Sequence, residues 1–109
     1  MLVTLIIQER KSNRKRREVI MPYIKQELRK DVDSYIDELN KLLMYIDEDK
    51  IDGVINYIIT KIIKKQYDIG RYQQYNSAIG VLECAKLEFM RRTVAKYEDQ
   101  KIAENGDIE

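Results

Sequence analysis

Two charged residues stand inside an apolar helical pattern in the C-terminal third of the sequence. One broad face of the helical wheel carries large apolar side chains, namely Ile79, Leu82, Phe89, Met90, Val94 and Tyr97. Glu83 and Lys86 fall within that face. Charge on an apolar helix face is costly unless it is paired. At a spacing of three residues the two can pair with each other at the edge of the core. Alternatively they face a cavity or contact a ligand or a partner.

A second group of side chains surrounds a predicted loop. Tyr67, Tyr72 and Tyr75 cluster there beside Arg71. Aromatic rings next to a guanidinium can stack a base or fill an interface. The plainer interpretation is that the rings pack against a helix end and keep their hydroxyls in water. A small nucleotide ligand is therefore one hypothesis for this cluster, and ordinary packing is the other.

The C-terminal run forms the third group, a motif that includes Tyr97, Glu98, Asp99, Asn105 and Asp107. Glu98, Asp99, Glu104 and Asp107 carry the hard oxygen ligands that magnesium prefers. Acidic helix ends also serve solubility alone, and that interpretation is favoured. We therefore predict no metal site and no cofactor.

Composition removes several kinds of catalysis. The chain has no histidine and one cysteine, so a zinc site and Ser-His or Cys-His catalysis are not expected. Cys84 stands among apolar residues, which indicates a buried, reduced thiol in a cytoplasmic protein. The four glycines are isolated, and none forms a phosphate-binding loop. No catalytic residue is assigned, and the protein is predicted not to be an enzyme.

Charge divides the chain near Met21. Residues 1–20 hold six basic and two acidic residues, with the basic ones concentrated in 10–17. A basic arm of this kind can bind nucleic acid or an anionic membrane. The favoured interpretation is a translated leader, because Arg16-Arg17 can be encoded by a ribosome-binding AGGAGG before the codon of Met21. Nucleic acid binding is thus expected only if the arm is genuine, and residues 21–109 are predicted to fold alone as one α-helical domain.

Periodicity predicts three helices in that domain. Asp31 or Asp33 is expected to cap the first helix, and Asp49 to open the second, because Asp at these positions precedes apolar residues at spacings of three and four. Gly70 should break the chain between 67 and 72. The third helix should start between Tyr72 and Asn76 and end at Asn105-Gly106, a polar pair suited to a C-cap.

These elements predict an all-α fold, a helical hairpin followed by one long C-terminal helix, like a three-helix bundle. About 30 residues at ~1.5 Å each make the third helix roughly 45 Å long. Two helices of half that length cannot cover its whole apolar stripe. Either its end projects or another subunit covers it, so a homo-oligomer is expected. No apolar run reaches the roughly 20 residues of a membrane span.

Residues 21–109 resemble a family of small proteins from tailed phages and prophages. The shared residues are Met21-Pro-Tyr, Ile55-Asn-Tyr-Ile-Ile-Thr, Asn76-x-x-Ile-Gly-Val-Leu-Glu, Arg91-Arg and Tyr97-Glu-Asp-x-Lys-x-x-Glu-Asn-Gly-Asp. That family is catalogued only as a domain of unknown function. Lys96 stands where the family usually has proline, so a helix break is not expected there. The resemblance implies a phage context and the cytoplasm of a bacterial host, and it implies no activity.

Three classes of function follow from these patterns. The leading hypothesis is a phage or prophage protein that acts without catalysis by binding a protein partner, as a homo-oligomer. The first alternative is an oligomeric nucleotide-binding protein that sequesters a defence signal. The second is an enzyme similar to the MazG-like all-α NTP pyrophosphohydrolases, which hold magnesium with Glu-x-x-Glu and Glu-x-x-Asp pairs. Only Glu104-x-x-Asp107 fits that pattern here.

Overall fold

The structure is a computed structural model that describes residues 22–67 and 70–108. The first helix, α1, spans Gln26–Leu43, and a short 3₁₀ turn at Glu48–Lys50 leads directly into α2, Ile51–Tyr67. Helix α3 spans Tyr72–Phe89, a π-helical turn covers Met90–Val94, and α4 spans Ala95–Asn105. No strand occurs in these two ranges. The predicted all-α class, with two shorter helices before one long helix, is confirmed.

The start of α1 differs from the prediction. The helix begins at Gln26, so Asp31 and Asp33 lie inside it and cap nothing. Lys25 is the extended residue before the helix, with φ −56° and ψ 141°, and its carbonyl accepts a hydrogen bond from the Arg29 N–H at 3.0 Å. Glu27 in the first turn interacts favourably with the helix dipole. The helix therefore starts before the aspartates that resembled its cap.

Helix α2 starts close to the predicted position, at Ile51. However, Asp49 is not the residue that caps the helical path, because a 3₁₀ turn already begins at Glu48. Asp47 stands before the 3₁₀ turn, and its carbonyl accepts a hydrogen bond from the Lys50 N–H at 2.9 Å. Asp49 lies within that turn. The 3₁₀ turn thus begins the helical path one residue earlier than the sequence pattern suggested.

The long C-terminal helix is confirmed. Helix α3, the π turn and α4 follow one another without a break from Tyr72 to Asn105, which gives a rod of roughly 50 Å at ~1.5 Å per residue. Gly106 ends it with φ 85°, a backbone conformation that favours glycine, and its N–H donates to the Ile102 carbonyl at 2.8 Å. Gly70, before α3, also has a positive φ of 70°. Lys96 lies in α4 with no break, as expected.

The chain divides into two compact units. One contains α1 and α2, and the other contains α3, the π turn and α4. Among the described residues no helix is both long enough and apolar enough to cross a membrane. Residues 1–20, with the basic arm and the proposed leader, lie outside the described residues, so that prediction stays a prediction.

Candidate functional site, an exposed face of α3

Helix α3 is less exposed to solvent along one face than along the rest of its surface. Most of the less exposed residues recur at spacings of four and three, namely Gln74, Ala78, Val81, Cys84 and Glu88, and Gly80 is also partly buried. Ala78 is 6% exposed and is the one apolar residue that is buried in the described part of the chain. Cys84 is half-buried rather than buried as predicted. The less exposed face is therefore lined mainly by small side chains.

The adjoining face carries the large apolar side chains that the wheel had placed in the core. Ile79 is 64% exposed, Leu82 38%, Phe89 61% and Met90 45%. These four residues are called the apolar row below. The predicted burial of this face is wrong, because the wheel finds apolar positions on both sides of α3 and cannot tell which side is covered. Ala78 and Cys84, on the less exposed face, have small side chains.

Glu83 and Lys86 lie in the middle of the apolar row and pair with each other. The Lys86 Nζ is 3.2 Å from the Glu83 Oε1, with side chains 65% and 54% exposed. The pairing inferred from the spacing is present. An ion pair this open to solvent adds little stability, typically below about 1 kcal/mol. The pair lies within a row of exposed apolar side chains, so it is a candidate contact for a binding partner.

A second charge cluster, missed at the sequence level, lies where α3 passes into the π turn. The Glu88 carboxylate accepts hydrogen bonds from Arg91 Nη2 at 3.1 and 3.3 Å and from Arg92 Nε at 3.3 Å. The Glu88 side chain is only 25% exposed. The sequence does contain a signal for this cluster, namely the spacing of the three residues. Arginines at i+3 and i+4 lie on the same helix face as the glutamate and can reach it. The cluster therefore links the last turn of α3 to the first residues of the π turn.

The tyrosine and arginine cluster is only partly assembled within one unit. Arg71 is extended and precedes α3, and its carbonyl accepts hydrogen bonds from the N–H groups of Gln74 at 3.0 Å and Tyr75 at 3.1 Å. Tyr72 is 82% exposed and Tyr75 48%. Tyr67 is the half-buried last residue of α2, in the other unit. Arg71, Tyr72 and Tyr75 thus form a small exposed group at the start of α3.

The C-terminal motif is held by contacts within α4. The Lys101 Nζ lies 5.5 Å from the centre of the Tyr97 ring and 3.2 Å from the Glu104 Oε2. Beyond the helix end, the Asp107 Oδ1 accepts a hydrogen bond from the Ile108 N–H at 2.7 Å. The remaining residues of the motif are exposed, namely Glu98, Asp99 and Asn105. No group of three or more metal-ligating side chains occurs among residues 22–67 and 70–108.

The described residues form a small all-α protein with exposed large apolar side chains, among them the apolar row on its long helix. The chain belongs to the family described as a domain of unknown function (DUF6899), which matches residues 21–108. No curated protein and no solved structure matches the chain.

Proposed function

We propose that the protein acts without catalysis, by binding other proteins, and that it does so as a homo-oligomer. The observation that carries this proposal is the apolar row. A helix with large apolar side chains over much of its surface is normally buried there. The less exposed residues of α3 include Ala78, whereas Ile79 and Phe89 are more than half exposed. A second copy of the chain is the partner proposed for this face.

The size of the face supports a specific contact. Half-exposed side chains of this kind each leave on the order of 100 Å² in water. With the aliphatic stems of Glu83 and Lys86, the row offers about 500 Å² per copy, so two copies would bury on the order of 1,000 Å². That area is at the lower limit for a specific protein interface.

The phage-like motifs set the biological context of the proposal. The runs that begin at Asn76 and Tyr97 resemble those of small tailed-phage and prophage proteins. We therefore place the protein in a bacterial host cell, where its further partner is a phage or host protein. Native mass spectrometry of the protein from phage-infected cells would give the mass of the assembly and reveal any small molecule that it retains.

Sedimentation velocity of the purified full chain tests self-association directly. The wild type should sediment as an oligomer, and Phe89→Asp should dissociate it, because burying an unpaired charge costs several kcal/mol. Tyr45→Asp is the matched control, since Tyr45 is 87% exposed and lies after α1, in the unit that does not contain the apolar row. The control should sediment like the wild type. A monomeric wild type would refute the homo-oligomer.

Nucleotide binding is a second candidate, favoured by the exposed rings at the start of α3. Tyr72 and Tyr75 are three residues apart on one helical turn, next to Arg71, and their rings are open to solvent. Rings and a guanidinium in this arrangement suit base stacking. Calorimetric titration with a cyclic dinucleotide tests this candidate. Binding lost in Tyr72→Ala and kept in Tyr45→Ala would support it, whereas no binding to the wild type would remove it.

The pyrophosphohydrolase alternative gains no support from the described residues. Glu104 accepts hydrogen bonds from Lys101 at 3.2 Å and Gln100 at 3.5 Å, within its own helix. Asp107 lies beyond the end of α4 and contacts the Ile108 N–H. The one Glu-x-x-Asp pair of the sequence is therefore engaged in local contacts at a helix end.

A further inference from the structure

We infer that α3 pairs with α3 of a second copy in an antiparallel arrangement, about a two-fold axis that passes between Cys84 and Ala85. The inference rests on the homo-oligomer of the proposed function and adds its geometry. It concerns only the unit that contains α3, the π turn and α4. The observation behind it is the position of the Glu83–Lys86 pair at the centre of the apolar row.

The sequence of α3 is self-complementary about that axis. In an antiparallel two-fold pair, residues equally far from the axis on opposite sides lie at the same height along the two helices. Glu83 and Lys86 are equally far from the point between Cys84 and Ala85, and so are Ile79 and Met90. Glu83 therefore meets Lys86 of the second copy, and Ile79 meets Met90 of the second copy. Ile79, Glu83 and Lys86 are exposed residues of α3, and Met90 is an exposed residue at the start of the π turn that follows it.

The charges favour this arrangement over the parallel one. Within one chain, Glu83 and Lys86 lie 3.2 Å apart and remain more than half exposed, so each has room for another partner. In the antiparallel pair, Glu83 of each copy faces Lys86 of the other copy. The two ion pairs then form a group of four charges with alternating sign. A parallel pair in register would set Glu83 against Glu83 and Lys86 against Lys86, and like charges in contact are unfavourable. The charges thus select both orientation and register.

The apolar row completes the contact on both sides of the charges. Ile79 of each copy packs against Met90 of the other copy. The two-fold axis produces this contact twice, so one apolar layer lies at each end of the interface. Leu82 and Phe89 lie on one flank of the row and on opposite sides of the axis, so the antiparallel arrangement brings Leu82 near Phe89 of the second copy, about two residues apart along the helix. Ile79 lies within the regular helix α3, which ends at Phe89, and Met90 is the first residue of the π turn.

Charge reversal and mixing test the register. Glu83→Lys and Lys86→Glu should each weaken self-association roughly tenfold or more, because each places like charges across the axis. An equimolar mixture of the two variants should restore association, since every contact is then between opposite charges. The double variant, Glu83→Lys with Lys86→Glu, should also associate like the wild type. Sedimentation equilibrium measures all four samples, and a mixture as weak as the single variants would overturn the inference.

Cysteine cross-linking tests the orientation independently. In a Cys84→Ser background, Ile79→Cys mixed with Met90→Cys should form a cross-linked dimer under mild oxidation, and neither variant should do so alone. Parallel helices would instead link Ile79→Cys to itself and Met90→Cys to itself. Circular dichroism of each variant confirms that the helix content is unchanged.

A third measurement uses the wild-type chain, in case a variant fails to fold. Carbodiimide treatment of mixed unlabelled and ¹⁵N-labelled protein should yield Glu83–Lys86 cross-links of mixed isotope content. Cross-links confined to one isotope in a protein that sediments as an oligomer would overturn the antiparallel pairing and leave the homo-oligomer standing. A protein that sediments as a monomer would overturn both.

Discussion

Replacing Glu88 by glutamine should destabilise the protein far more than the same change at Glu38. Both residues are glutamates that pair with a basic residue three positions later. Glu38 accepts one hydrogen bond from Lys41 at 3.0 Å, with the side chains 71% and 68% exposed. Glu88 receives two guanidinium groups at 3.1 to 3.3 Å and is 25% exposed. The two variants therefore compare a sheltered glutamate with two arginine partners to an exposed glutamate paired with one lysine.

The expected magnitudes follow from those surroundings. An exposed i,i+3 pair contributes about 0.3 to 0.5 kcal/mol, so Glu38→Gln should lower the free energy of unfolding by no more than that. Hydrogen bonds to a charged group contribute about 1.5 to 3 kcal/mol when sheltered, and Arg91 and Arg92 are themselves more than half exposed. We discount for that exposure and expect Glu88→Gln to cost about 1 to 2 kcal/mol.

Thermal unfolding followed by circular dichroism measures both variants. A change of 1 kcal/mol shifts Tm by roughly 4 to 8 °C in a domain of this size. Glu88→Gln should therefore lower Tm by about 4 to 16 °C, and Glu38→Gln by a few degrees at most. In ~1 M salt the Glu38 effect should vanish while most of the Glu88 effect remains, because partly buried pairs are less screened. Equal, small shifts at both sites would show that the Glu88 cluster is solvated and holds nothing together.

Two further predictions concern single residues in the helices, and unfolding by urea measures both. Gly53 lies in the first turn of α2 with nothing within 4 Å of an added Cβ, so Gly53→Ala should raise the free energy of unfolding by about 0.5 to 1 kcal/mol. Gly106 has a φ of 85°, so Gly106→Ala should lower the free energy of unfolding by about 1 to 3 kcal/mol. The opposite order would contradict the assigned helix end. Asp31 is 7% exposed, and its Oδ2 has no hydrogen-bond partner among the described residues. Asp31→Ala should therefore raise the free energy of unfolding by about 1 to 3 kcal/mol. Asp33 is exposed, so Asp33→Ala should be near neutral. A loss of stability in Asp31→Ala alone would show that the buried carboxylate has a structural role.

The sequence predicted well those features that depend on local residue chemistry. Gly106 can adopt the left-handed backbone that ends a helix, and the absence of glycine and proline between 81 and 105 lets one helix run through. The Glu83–Lys86 pair followed from the helical spacing alone. Each of these features is decided within one or two helical turns, so no knowledge of tertiary packing was needed.

Features that depend on competition between similar signals were predicted less well. Asp31 and Asp33 have the residue type of an N-cap, but they lie inside the helix. The helix begins at Gln26, where no side chain caps it. The π turn at Met90–Val94 has no glycine or proline to mark it. The less exposed face of α3 was assigned to the wrong side, because Ala78 and Val81 contribute less to an apolar wheel than Phe89 and Ile79 do.

The contrast between α3 and α4 indicates which part of the rod mediates recognition. Helix α3 has apolar side chains over much of its surface, with Ala78 on the less exposed face and the apolar row on the adjoining one. Helix α4 is largely polar, and Tyr97, Lys101 and Glu104 are linked to one another within it. Water solvates a polar helix readily, whereas exposed large apolar side chains in a row favour association. Self-association, as proposed, is therefore expected to involve α3, which leaves α4 and its C-terminal motif open for the further partner.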